Sequence, residues 1–302
     1  MKMNDRELLY RLFREHTDVY GTSRLTVLGL ESFIESINQL ECQKSDIRSQ
    51  IEDLTDALKK SQPKIVPFIH LVRKFERELE EKNIYSLGST EEIKKAAVTI
   101  LEEKIGLFKT TVANLVEKGL ETIENGDFII VHSVSSVVRD ILIKAREAGR
   151  TFRVLILKQD FIQTRQIIKS LNEAGVDIEV IPDFNLSHYL DDVTKLFLGA
   201  ISVTIDNKLI ATNGSSSIVS LCHVHNVPSY LFVNSLKFSH YKSSDQRIHK
   251  MLTVREHDNV TYEIMEHSHD VVDLKQIDNI YIDIGRIEIS DIPKFRTSKT
   301  PH

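Results

Sequence analysis

Cysteine is nearly missing from the 302 residues: Cys42 and Cys222 stand far apart, with no C-x-x-C pair and no Cys/His ligand spacing. That excludes a disulfide framework and a structural zinc site, and it fits a reducing compartment. Nowhere do about 18 uncharged apolar residues run together, and the opening MKMNDRELLYRLF lacks a continuous apolar stretch, so neither a membrane span nor a secretory leader is expected. Positive charge is not in excess either. With 39 Lys and Arg against 44 Asp and Glu the net charge is −5, which gives no global basic field for a nucleic-acid backbone. Direct nucleic-acid binding is therefore not expected. Repeats and low-complexity tracts are also absent. What is present is 41% hydrophobic residues, enough for a real core, in a chain long enough for two domains of about 150 residues. The reading is a cytoplasmic globular protein.

The chain changes character near Asn125-Gly126-Asp127. Before it, apolar residues recur at helical spacing around 24–40, 46–60 and 64–82, and then in a long stripe from Ile93 to Ile123. Ser89 and Glu92 have the spacing of a capping box, which starts that helix, and Gly106 or Gly119 is a place for it to bend or break. After Gly126 come β-rich runs at 128–131, 152–157, 176–181, 196–205 and 230–233, with helical patterns between them at 135–147, 161–173, 186–193 and 216–225. This alternation predicts a mostly parallel sheet covered on both sides. The expected class is α/β: an N-terminal helical domain over 1–124 and a Rossmann-like domain over 125–302. Apolar helices at 216–225 and 275–284 offer a face for a second copy of the chain.

In an open parallel sheet, ligands bind beyond the carboxyl ends of the strands, where helix N-termini present free N–H groups. Two such places are serine-rich here. One is His132-Ser133-Val134-Ser135-Ser136, and the other is Asn213-Gly214-Ser215-Ser216-Ser217. Both spacings suit a phosphate, and both equally suit plain N-caps. The pairs His223/His225 and His267/His269 lack further ligand spacing, so no metal and no cofactor is proposed. No G-x-S-x-G elbow appears, so a serine hydrolase is not expected.

The run Gly199-Ala200-Ile201, Thr212-Asn213-Gly214-Ser215, Asn226-Val227-Pro228-Ser229-Tyr230 and Asn234-Ser235-Leu236-Lys237-Phe238 resembles the series G-A-D, N-K-x-G-T, N-x-P-x-Y and E-S-x-K-F. That series marks the regulatory alpha, beta and delta subunits of translation initiation factor 2B, their archaeal relatives, and the ribose-1,5-bisphosphate and methylthioribose-1-phosphate isomerases. Gly126 to Ser133 resembles the family's G-D-x-I-x-T-H segment, His269 to Asp273 its F-D-V-T-P, Ile282 to Gly285 its T-x-x-G, and Gly21 to Leu25 its R-G-A-x-R-I loop. The resemblance covers residues 20 to 292 or so.

What the resemblance implies is a helical domain, a Rossmann-like domain that dimerises, and a sugar-phosphate site between them. The family's enzymes use a cysteine after T-H and the aspartate of G-A-D as their acid–base pair; here those positions hold Ser133 and Ile201. Thr212 stands for the lysine of N-K-x-G-T, Asn234 for the glutamate of E-S-x-K-F, Tyr20 for the arginine of the R-G-A loop, and Lys158-Gln159-Asp160 for E-S-x-P. A single positioned proton carrier contributes about 10²–10⁴-fold, so the expectation is a chain that is not an enzyme. It would act through protein contacts, with initiation factor 2 or related subunits as partners. Arg24, His132, Ser133, Ser135, Ser136, Gly214, Ser215 and Lys237 remain as candidates to hold a phosphorylated sugar or nucleotide. The alternatives are a sugar-phosphate isomerase with relocated acid–base residues, His132 or Asp206 being the candidates, and a metabolite-binding module unconnected to translation.

Overall fold

The computed structural model describes residues 21–60, 65–132, 135–158, 161–245, 250–257 and 260–296. By its internal packing the chain divides into two compact units, one ending at Ala113 and the other beginning at Asn114.

The first unit is helical. Helix α1 (Thr22–Asn38), α2 (Ile47–Lys59) and α3 (Val66–Glu81) are followed by α4 (Thr90–Leu120), close to the spans the periodicity predicts. Pro67 opens α3, where its missing N–H costs nothing. The capping box forms as expected: Ser89 N donates to Glu92 Oε2 at 2.9 Å, and Glu92 N donates to Ser89 Oγ at 3.2 Å. The core is tied by Phe33 of α1 meeting Phe75 of α3 edge to face at 5.2 Å, and by Glu76, which accepts from Thr55 and from Lys59, each at 2.7 Å.

Helix α4 runs unbroken through Gly106 and ends past Gly119. Its last turns belong to the second unit, where the side chain of Ile141 packs against Gly119 and Lys144 pairs with Glu117. The packing division therefore falls inside the helix, earlier than the change of pattern at Asn125.

The second unit is the parallel-sheet domain. It comprises β1 (Phe128–Val131), α5 (Ser136–Glu147), β2 (Arg153–Lys158), α6 (Phe161–Glu173), β3 (Asp177–Pro182), β4 (Lys195–Gly199), β5 (Ser202–Val203), β6 (Lys208–Thr212), α7 (Ser215–Val224), β7 (Ser229–Phe232), β8 (Lys250–His257), β9 (Val260–His267), β10 (His269–Asp273), β11 (Asn279–Ile282), β12 (Gly285–Ile287) and α8 (Ile292–Phe295). Seven strands make the main sheet in the order β12-β11-β7-β4-β1-β2-β3, parallel throughout except for β12 at one edge. Ile129, Ile130 and Val131 of the central β1 are at most 1% exposed, as expected for a strand covered on both faces. A smaller antiparallel sheet, β10-β6-β5, and a separate hairpin, β8-β9, hold the other strands among the described residues.

Three expectations are corrected. The run 196–205 is not one strand: it breaks at Ala200-Ile201, because Ser202 and Val203 leave the main sheet to pair antiparallel with Ile210 and Leu209. The pattern at 186–193 gives only a 3₁₀ turn, Asp183–His188. The segment 275–284 is not a helix, since Asn279–Ile282 form β11, which pairs with β7 through Asn279, Ile280 and Tyr281, so it offers no helical face to a second copy. No described helix is long and apolar enough to cross a membrane.

Candidate functional site

The carboxyl ends of β1, β4 and β7 lie side by side, since Val131 pairs with Phe197 and Gly199 with Phe232. The segments leaving these ends carry His132, Ser135, Ser136 and Lys237, and His132 ties the turn that holds Gly214 and Ser215, between β6 and α7, to the end of β1. Ser133 lies outside the described residues.

His132, just past β1, is 4% exposed, and its Nε2 lies 3.1 Å from the carbonyl oxygen of Asn213. A carbonyl only accepts, so Nε2 carries the proton in this contact. Burial pushes the imidazole pKa down to about 4, against the opposing pull of that carbonyl and of Asp183 and Asp270. His132 is therefore neutral at pH 7 and fastens the end of β1 to the turn between β6 and α7. Ser135 caps α5, accepting from Val138 N at 3.4 Å, and Ser136 is the first residue of that helix. The cap reading holds for Ser135. Gly199 touches it so closely that a Cβ there would lie 2.4 Å from Ser135 Oγ.

At the second serine-rich turn, Gly214 has φ of 89°, the left-handed conformation that glycine adopts without strain, and it starts α7. The first turn of this helix already holds an anionic group: Ser216 N donates to Asp270 Oδ2 at 2.9 Å. Asp270 reaches it because β10 pairs with β6, Asp270 lying opposite Ala211. Ser215 beside it is fully buried, and its Oγ has no hydrogen-bond partner.

Lys237 is the most constrained residue here. It lies in a 3₁₀ turn, Ser235–Lys237, built after β7 by Asn234, whose Oδ1 accepts from Leu236 N at 2.9 Å, and by Asp283, which accepts from Ser235 N at 2.7 Å. The lysine is 6% exposed, and Nζ donates to the carbonyl oxygen of Ala200 at 2.6 Å. No carboxylate pairs with it among the described residues, and burial pushes its pKa down to about 8. Asn234 Nδ2 and Ser202 Oγ are likewise buried without a partner. Each such atom costs about 1–3 kcal/mol while it stays unpaired.

Arg24 belongs to the first unit, exposed in the first turn of α1. Asp206 does not suit a proton carrier. Burial pushes its carboxyl up, but bonds from Ser243 and Thr204 prevail and hold it down at about 2, with Ser243 N and Oγ donating to it at 2.9 and 2.6 Å. Asn234, Ser202 and Asp270 join the site although none was among the ligand candidates from sequence. Asn234 had a signal, as the polar residue opening the segment like E-S-x-K-F; Ser202 and Asp270 depend on strand pairings that only the fold reveals.

A translation initiation factor eIF-2B subunit 2-like protein of Pyrococcus furiosus is 26% identical over 232 residues, spanning 76% of this chain and 78% of its own. Ribose 1,5-bisphosphate isomerase of Archaeoglobus fulgidus is 23% identical over 223 residues, 74% of this chain and 68% of its own. Among solved structures, the translation initiation factor eIF-2B of Pyrococcus horikoshii superimposes with a TM-score of 0.80 at 23% identity, covering 95% of this chain and 99% of its own. The 5-methylthioribose 1-phosphate isomerase of Pyrococcus horikoshii does so with 0.75 at 15% identity, covering 96% and 87%. These likenesses correct the expectation that the chain is not an enzyme. The relatives include an isomerase matched over 74% of this chain, so the residues at Ser133, Ile201 and Thr212 do not exclude an enzyme, and Lys237 is buried and titratable. The model of the Initiation factor 2 subunit family matches residues 18–288, so the chain belongs to that family.

Proposed function

We propose that the second unit binds a phosphorylated sugar beyond the carboxyl ends of β1, β4 and β7 and acts on it as an aldose–ketose isomerase whose acid–base residues differ from those of its relatives. The observation that carries this reading is the group of buried, unpartnered polar atoms there: Ser202 Oγ, Ser215 Oγ, Asn234 Nδ2, and Lys237 with a single carbonyl for its ammonium. Neutral donors and acceptors of this kind match the hydroxyls of a sugar, which would relieve the cost of leaving them unpaired. The kinship with ribose 1,5-bisphosphate isomerase supports the substrate class. The test is calorimetric titration with ribose 1,5-bisphosphate and with 5-methylthioribose 1-phosphate, inorganic phosphate being the control. Saturable binding below millimolar, weakened about tenfold by Asn234→Ala, is the expected result. Absence of heat with both sugars at millimolar concentration would overturn it.

A second reading rests on the Pyrococcus furiosus relative, whose name places it with initiation factor 2B. It gives the chain contacts with initiation factor 2 and with a second copy of itself. Size-exclusion chromatography with light scattering, alone and with purified initiation factor 2, tests both contacts. A monomer at micromolar concentration that leaves the factor's elution unchanged would remove this reading.

A further inference from the structure

We propose that Lys237 is the proton carrier of this site, making between C1 and C2 of a bound aldose 1-phosphate the transfer for which Ile201 has no group. The inference rests on the sugar-phosphate reading above. Lys237 Nζ is fixed 2.6 Å from the carbonyl oxygen of Ala200, the residue immediately before Ile201, so the lysine is anchored beside the position where the resembling enzymes have a carboxylate. A buried ammonium needs acceptors for three protons, and this one has a single acceptor among the described residues. The neutral amine, which carries no charge to desolvate, is therefore easier to reach than on an exposed lysine. Both forms are then available near neutral pH, the condition for a group that takes a proton and returns it.

The charged and titratable side chains on the surrounding segments are engaged elsewhere. Asp283 accepts from Ser235, Asp270 from Ser216, Asp206 from Ser243 and Asp273 from Lys208. Arg296 donates to the carbonyls of Thr204 and Ile205, and His132 is neutral against Asn213. Burial is what lowers the pKa of Lys237.

The step balances without an outside oxidant. The C1–O4 bond of the sugar ring opens as O4 takes a proton from solvent. The Lys237 amine takes the proton from C2, and the electrons of that C–H bond form the C1=C2 enol. The ammonium then returns the proton to C1 while the proton of O2 leaves to solvent, so C1 is reduced and C2 becomes the ketone.

The experiment follows ribose 1,5-bisphosphate and 5-methylthioribose 1-phosphate in deuterium oxide by proton NMR, with binding measured in parallel by calorimetry. For the wild-type protein, the H2 signal should disappear as the ketose forms, at a rate rising with pH through about 8. Lys237→Met and Lys237→Arg should each lose about 10²-fold or more in rate while the sugars still bind within tenfold. Arginine keeps the charge and the length of the side chain but stays protonated, so Lys237→Arg separates proton transfer from mere positioning. Wild-type rates in Lys237→Arg, or a wild-type profile with no break between about pH 7 and 9, would overturn the role of Lys237 and leave the isomerase reading standing. Failure of the wild-type protein to bind either sugar would overturn that reading and this inference with it.

Discussion

Lys195 and Asp127 form an ion pair of 2.7 Å beneath the amino ends of β1 and β4, with side chains only 11% and 6% exposed. Further hydrogen bonds hold both partners in place. Asp127 also accepts from Glu124 N at 2.6 Å and from Thr194 Oγ1 at 2.9 Å, and Lys195 also donates to the carbonyl oxygen of Thr122 at 2.9 Å. Such a pair is weak evidence for net stability, but removing one partner strands a buried charge. Asp127→Asn and Lys195→Met are each expected to cost about 3–5 kcal/mol in urea unfolding, and the double variant much less than their sum. Additive losses would show that the two residues do not act as a pair.

Two glycines of α4 should answer the same substitution with opposite signs. A Cβ on Gly106 would meet nothing within 4 Å, so Gly106→Ala should stabilise by about 1 kcal/mol through helix propensity. A Cβ on Gly119 would lie 2.2 Å from Ile141 Cδ1, so Gly119→Ala should destabilise by about 1–3 kcal/mol. Ile141→Val removes that methyl group and should recover part of the loss. Thermal melts of the three variants decide it, and a stabilising Gly119→Ala would mean that Ile141 gives way freely.

The legible parts of this fold are those in which period and burial agree. Phe128–Val131 and Phe161–Glu173 fall where the sequence puts them, because an apolar run of strand length and a 3.6-residue stripe each have one solution there. At 275–284, Ile277, Ile280 and Ile284 also fit a helix, and only pairing with β7 shows that the two-residue period prevails. The strand break at Ala200-Ile201 is hidden for the same reason: Ser202 leaves the main sheet to meet β6, a partner distant in sequence. Within the site, Lys237 and Ser215 are legible from the motif-like run. The carbonyl of Ala200 as the lysine's acceptor, and Asp270 as the carboxylate on α7, depend on contacts 37 and 54 positions apart.

Gly199 and Ser135 give a test of how tightly the site is built. Alanine at 199 would place its methyl group 2.5 Å from Ser135 Cβ as well as 2.4 Å from its Oγ, so rotating the hydroxyl cannot relieve the clash. Gly199→Ala is expected to cost about 1–3 kcal/mol. Ser135→Gly should remove most of that penalty while costing only a few tenths of a kcal/mol in cap strength. Urea titrations of the two single variants and the double variant form the cycle; an unchanged penalty in the Ser135→Gly background would place the strain elsewhere.

His132 and Lys237 give the stability of the second unit a particular dependence on pH. His132 titrates at about 4 when folded, against 6.5 unfolded, so on acidification the unfolded chain takes up the proton first. Stability therefore falls as pH drops from about 6.5 to 4, by about 3 kcal/mol, and His132 contributes no further loss below that. Lys237 is also depressed, to about 8 from 10.5, so between those values the unfolded chain keeps a proton that the folded one has released. Its contribution makes stability rise with pH across that window, again by about 3 kcal/mol, while below about 8 the cost of burying the ammonium is fully present. Between these two windows, near pH 7, stability changes least, and a plateau is expected. Urea unfolding across pH 4 to 10.5 should show His132→Asn flattening the acid limb alone and Lys237→Met the alkaline limb alone. An alkaline limb unchanged by Lys237→Met would mean that the amine is solvated in the folded protein, with a pKa near its ordinary value.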